Sequence, residues 1–208
     1  MYSFFNTTEG IVEGYVNRLV ENDKTLETVD CSQLNLDSLF SKAIFTAIKQ
    51  SNHLKILKFL GNKPGEAIRD LAESIKKHQS LQEIYLGTNG LNDQEFSYLT
   101  DVLIENQSTV QLLDINYNEG ITDESVPNIV ALIEKCTHLK KLEISSTKIT
   151  DDGLKMILQA LENNPQSPLL ELCEPDILNF GFLTQDKELI KKFNDIFNSK
   201  QNNNELTI

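Results

Sequence analysis

The chain has 208 residues, 39% of them hydrophobic, and carries 19 Lys and Arg against 31 Asp and Glu for a formal net charge of -12. That length and apolar content suffice for one continuous core, and no shift in composition marks a second domain. The acidic excess disfavours nucleic acid and anionic membrane surfaces, which need clustered Lys and Arg, and suits a protein partner with a basic surface whose approach it would steer.

At the N-terminus, Met1-Tyr2-Ser3-Phe4-Phe5-Asn6 has neither the positive region nor the apolar run of a secretory signal. No stretch approaches the roughly 18 apolar residues of a membrane-spanning helix. Ile11, Val12, Tyr15, Val16 and Leu19 recur near helical spacing, which predicts a helix within an N-terminal capping segment, residues 1–25.

From residue 26 one block recurs about six times. Its clearest copy, Leu81-Gln82-Glu83-Ile84-Tyr85-Leu86-Gly87-Thr88-Asn89-Gly90-Leu91, has apolar residues at positions 1, 4, 6 and 11 and asparagine at 9. First positions fall at Leu26, Leu54, Leu81, Val110, Leu139 and Leu169, separated by 28, 27, 29, 29 and 30 residues. The third to fifth copies follow the pattern most closely. The first carries Leu34 where the asparagine belongs, the Lys63-Pro64-Gly65 turn interrupts the second, and the last breaks off at Cys173-Glu174-Pro175. Atypical end copies suit a stacked array, whose terminal faces have no neighbour.

Between blocks the apolar period changes from two to about 3.6. Phe96, Leu99, Val102 and Leu103 follow Asp93; Val126, Ile129, Leu132 and Ile133 follow Asp123; Leu154, Ile157, Leu158 and Leu161 follow Asp151. Asp93, Thr122, Asp123 and Asp151 stand where a side-chain oxygen can satisfy free helix amides. Each unit thus reads as strand, turn, helix. This L-x-x-L-x-L-x-x-N-x-L block resembles the ribonuclease-inhibitor type of leucine-rich repeat over roughly residues 26–175. The resemblance implies an α/β solenoid, a horseshoe with a parallel β-sheet on its concave face and α-helices on its convex face.

Beyond Pro175 the repeat is lost. Phe180 and Phe182, then Leu189, Ile190, Phe193, Ile196 and Phe197 on one helical face, predict a C-terminal capping segment over residues 176–198, followed by a polar, disordered tail at 199–208. Cys31, Cys136 and Cys173 are odd in number and far apart, as expected of reduced thiols in a cytoplasmic protein.

Strand alternation sets which side chains can carry function. With positions 1, 4 and 6 inward, positions 3, 5 and 7 line the concave face, where neighbouring strands lie about 4.8 Å apart. The residues expected to meet a partner are Ile56, Lys58, Leu60, Glu83, Tyr85, Leu112, Asp114, Asn116, Tyr117, Lys141 and Glu143, centred on Tyr85, Asp114 and Tyr117. An apolar, tyrosine-bearing centre with a charged border is the composition of a protein-binding face. Asp114 and Glu143 are expected to pair with Lys or Arg of the partner, and the free protein is expected to be a monomer.

Enzymatic readings are poor. G-x-S-x-G, H-E-x-x-H, G-x-x-x-x-G-K-[ST] and paired C-x-x-C are missing. His53, His78 and His138 lie whole repeats apart and cannot converge on a metal, and no cofactor is implied. Cys173 is the single candidate nucleophile for an alternative, catalytic reading.

Short repeat proteins of this type, rich in Asn, Lys and Ile, resemble effectors that intracellular bacteria such as Legionella deliver into host cells. The polar tail with Leu206 third from its end is similar to the C-terminal signals of that group. This resemblance implies a cytoplasmic or translocated protein that regulates or inhibits one target, another effector enzyme included. The pattern is also similar to the repeats of tropomodulin-like actin-capping proteins, which gives the alternative of an actin-binding repeat domain.

Overall fold

The computed structural model describes residues 7–76, 78–105, 109–169, 171–172 and 184–205, and the side chains among them up to residue 200. Five three-residue strands, β1 (Thr28–Asp30), β2 (Ile56–Lys58), β3 (Glu83–Tyr85), β4 (Leu112–Asp114) and β5 (Lys141–Glu143), form one parallel sheet in chain order. Helices α1 (Thr8–Val20), α2 (Ser38–Ile48), α3 (Ile68–Ile75), α4 (Asp93–Glu105), α5 (Val126–Lys135) and α6 (Asp151–Asn163) alternate with the strands and pack each against the next. This is a leucine-rich repeat solenoid, with the register advancing one repeat per strand so that Val29, Leu57, Ile84, Leu113 and Leu142 align. All five of those side chains are fully buried, as are Cys31, Phe59, Leu86, Ile115 and Ile144 two residues on. Among its described residues the sixth copy adds a parallel bridge, Glu171 to Lys141, and buries Leu169 and Leu172.

The strands are short because each one ends at the same turn. Gln33, Gly61, Thr88, Tyr117 and Ser146 occupy the same repeat position, and all have φ between 56° and 68°. Glycine adopts that left-handed conformation freely; tyrosine, threonine, glutamine and serine adopt it at a cost. In the second to fourth copies an asparagine follows and offsets part of that cost. Asn118 Nδ2 donates to the Leu86, Ile115 and Asn116 carbonyls, while its Oδ1 accepts from the amides of Asn89 and Leu91. Asn62, two repeats earlier, donates to the Cys31, Phe59 and Leu60 carbonyls and accepts from the Leu36 amide, and its own amide donates to Asn89 Oδ1. Each asparagine therefore ties its repeat to the neighbours.

The helix starts differ in detail from what the acidic residues suggest. The capping oxygens belong to Thr7, Asp37, Thr122 and Thr150, and Asn92 forms a reciprocal pair with Glu95 ahead of α4. Asp93 and Asp123 reach across to the next repeat: their carboxylates accept from the backbone amide and hydroxyl of Thr122 and Thr150. Gly153, in the first turn of α6, permits that approach, because a Cβ there would meet Asp123 Oδ1 at 2.2 Å.

At the C-terminal end, α7 spans Lys187–Glu205 and buries Leu189, Phe193 and Phe197, packing on α6. The helix runs well past Asn198, where the sequence predicts a disordered tail. Its continuation is anchored by Lys200, which is 7% exposed and donates through Nζ to the Ser167 carbonyl at 2.8 Å and that of Pro165 at 3.4 Å. Cys173, Phe180 and Phe182 lie outside the described residues. No described helix is long and apolar enough to cross a membrane.

Candidate functional site: the concave sheet

The pleat turns positions 3 and 5 of every strand away from the core, and the register stacks them into two rows. One row runs Thr28, Ile56, Glu83, Leu112, Lys141, and the other Asp30, Lys58, Tyr85, Asp114, Glu143. Asp30, at the less regular first copy, sits in register beside Lys58. Ile56, Leu60 and Leu112 are half-buried and have no place in the core cluster. Tyr117 is 49% exposed at the left-handed turn that ends β4.

Hydrogen bonds and charge contacts link the polar members across four strands. The Lys58 ammonium lies 5.9 Å from the centre of the Tyr85 ring, within cation–π range. Tyr85 donates its hydroxyl to Glu83 Oε2 at 2.9 Å. Burial, together with the hydrogen bond to Glu83 and its charge, pushes that hydroxyl up to about 12, so it remains a neutral donor at physiological pH. Asp114 Oδ1 accepts from the Asn116 amide at 2.8 Å, and Asn116 Oδ1 accepts from the Ser145 amide at 2.6 Å. At Gly87, in the centre, a Cβ would come within 2.9 Å of Leu60 and 3.4 Å of Asp114 Oδ1. The neighbours thus close over the bare backbone and leave a continuous surface.

Of the residues expected to meet a partner, Lys141 and Glu143 are placed differently from the expectation. The Glu143 side chain is only 5% exposed, and Lys141 Nζ lies 2.7 Å from Glu143 Oε1 and 3.0 Å from Glu171 Oε1. Burial works against the Lys141 charge, but hydrogen bonds to Glu143 and Glu171 more than offset it and hold the ammonium above the ordinary lysine range. Strand alternation alone put Glu143 on an open face. That burial is made tolerable by a neutralising lysine two residues earlier on the same strand, which also pairs with Glu171.

Among the described residues no group of three His, Cys, Asp or Glu side chains is arranged to hold a metal. His78 is buried and accepts the Leu81 and Ser80 amides through Nδ1, the same service Ser51 Oγ gives to Leu54 and His53 one repeat earlier. A cleft of about 600 Å³ opens between α6 and α7, but Glu162, Glu188, Lys191, Lys192 and Asp195 line it as alternating, solvated charges. The concave sheet is where aromatic, apolar and charged side chains converge.

Comparison with known proteins agrees with this architecture. A family model described as "Leucine Rich repeat" matches residues 135–158. Mouse ribonuclease inhibitor is 30% identical over 118 residues, which is 56% of this chain and 25% of the inhibitor. The chain spans a quarter or less of the length of the curated relatives matched first. Among solved structures, the C-terminal domain of Caenorhabditis elegans tropomodulin superposes with a TM-score of 0.59 at 19% identity, covering 74% of this chain and 93% of that domain. A leiomodin-1 structure titled "Actin-Binding Site 2" gives 0.61 at 13% identity, covering 95% and 93%. At such identities the structures speak for the fold. The chain is similar to ribonuclease-inhibitor-type repeat proteins, and its fold is theirs.

Proposed function

We propose that the protein is a non-catalytic binding module that recognises one protein partner on its concave sheet and regulates or inhibits it. The observation that carries this reading is the set of half-buried Ile56, Leu60, Tyr85 and Leu112 with exposed Tyr117, sheet-side residues that stand outside the core cluster. Tyrosine supplies rigid contact area with a polar tip, and the linked polar groups need little rearrangement before docking. A surface without an enclosing cavity suits a protein better than a small molecule. Two of the similar proteins carry names that fit this reading, a ribonuclease inhibitor and an actin-binding site of leiomodin-1. The net charge of -12 favours a partner with a basic surface. Delivery into a host cell as a bacterial effector rests on the sequence resemblance alone, and a translocation-reporter fusion checks it.

Affinity capture with mass spectrometry tests the reading, comparing the parent with a Tyr85→Ala, Asp114→Lys, Tyr117→Ala variant, both verified as folded by circular dichroism. A protein held by the parent and lost from the variant identifies the partner and puts it on the sheet. The same protein captured by both moves the contact to the helical face or to α7. Purified actin in the same assay decides the actin-binding alternative.

A further inference from the structure

Charge is distributed unevenly along the concave sheet. Positions 3 and 5, with Glu171 of the last copy, hold five carboxylates, Asp30, Glu83, Asp114, Glu143 and Glu171, against the two ammonium groups of Lys58 and Lys141. Both cations have internal contacts: Lys141 lies between Glu143 and Glu171, and Lys58 sits over the Tyr85 ring. Glu83 and Asp114 place negative charge beside Tyr85, whose hydroxyl donates to Glu83, while Lys58 over the ring and the field of Lys141 offset part of it. Two half-buried carboxylates on adjacent strands flank one aromatic ring there. A partner's guanidinium that displaces the flexible Lys58 ammonium from the ring can stack there and reach both acids, with hydrogen bonds strengthened by partial exclusion of water.

We propose that the Glu83–Tyr85–Asp114 cluster is the specificity-determining point of the concave face and receives an arginine side chain from the partner. This rests on the concave face being the docking surface. The Lys141–Glu143–Glu171 group at the end of the sheet is closed on itself and contributes rigidity, with no direct part in recognition. The partner is accordingly a protein that presents an exposed guanidinium on a protruding loop or strand, framed by apolar residues that meet Ile56, Leu60 and Leu112.

A displayed library of random peptides, selected on the parent at physiological salt, tests the assignment whether or not the natural partner has been identified. Clones are then measured against Tyr85→Ala/Tyr117→Ala, against Glu83→Gln/Asp114→Asn, and against Glu143→Gln. The expected clones are enriched in arginine, lose affinity for the first two variants by about tenfold or more, and bind Glu143→Gln within about threefold of the parent when circular dichroism shows it folded. Clones lost by the tyrosine variant but indifferent to Glu83→Gln/Asp114→Asn, or without arginine enrichment, overturn the arginine assignment and leave the concave face standing. Clones indifferent to the tyrosine variant overturn both.

Discussion

Single side chains in this protein hold backbone that the repeat cannot hold alone. Asn118 is the clearest case: one amide group serves three carbonyls and two amides of adjoining repeats. Leaving several buried backbone groups unpaired costs on the order of 1–3 kcal/mol each before relaxation. Asn118→Ala is expected to lose about 3 kcal/mol of stability in urea unfolding. Thr147→Ala, at the equivalent position with one bond to Ile144, is expected to lose less than about 1 kcal/mol. Equal losses would contradict the ladder as a source of stability. His78 adds a pH dependence. Burial holds its imidazole below the usual 6.5, despite the opposing Ile48 carbonyl, and Nδ1 must stay unprotonated to accept two amides. Lys49, Lys76 and Glu73 are the charged groups that share its cleft. A base whose folded-state value is depressed takes its proton more readily when unfolded. Its contribution is therefore complete above about pH 6.5 and declines as pH falls below that. The parent is expected to lose stability between pH 7 and pH 5 more steeply than His78→Ser, in which a hydroxyl takes over as at Ser51. Parallel pH profiles for the two proteins would show that His78 does not titrate on unfolding.

At the scale of elements, the repeats were legible because their core positions obey a strict alternation. Val29, Leu57, Ile84, Leu113 and Leu142 are apolar at every copy and buried at every copy, so strand positions and register follow from spacing. Helix interiors were legible for the same reason. What escaped notice depends on partners far along the chain. The helical continuation through Lys200 requires carbonyls 33 and 35 residues earlier, and nothing in the polar run Gln201-Asn202-Asn203-Asn204 announces it. Asp93 and Asp123 look like ordinary caps of their own helices, yet they bond Thr122 and Thr150 at distances of 29 and 27 residues. Glu143 reads as a solvent-facing strand acid because alternation carries no information about ion pairing. The resulting charge cluster has a measurable signature. Lys141→Met strands Glu143 in a site only 5% exposed and is expected to cost about 2–3 kcal/mol. Lys141→Met/Glu143→Leu is expected to recover most of that loss, since well-packed apolar side chains replace such pairs at little net cost. A double variant as unstable as the single one would show that packing, not the uncompensated charge, sets the penalty.

The whole molecule is a stack in which each unit touches its neighbours, closed by α1 on one side and α7 on the other. Such an array presents a long, stiff, curved surface. Five strands at the usual spacing span about 19 Å between the outer two. The three-residue strands alone cover only about 19 by 10 Å, so a standard interface of roughly 800 Å² per partner would also draw on the turns beyond them. Aromatic and apolar residues occupy the middle of the sheet, and the closed ion cluster stiffens its end. Under the proposed function, the fold supplies the surface, and the side chains at positions 3, 5, 7 and 8 of the central repeats would supply its selectivity. The measurement that bears most directly on this account is the affinity of the partner identified by capture for Tyr85→Ala/Tyr117→Ala, with folding verified by circular dichroism. Loss of two central anchors is expected to weaken binding by about 3 kcal/mol, more than a hundredfold in Kd, at unchanged stability. A double variant that stays folded and binds as tightly as the parent would contradict recognition through the concave sheet.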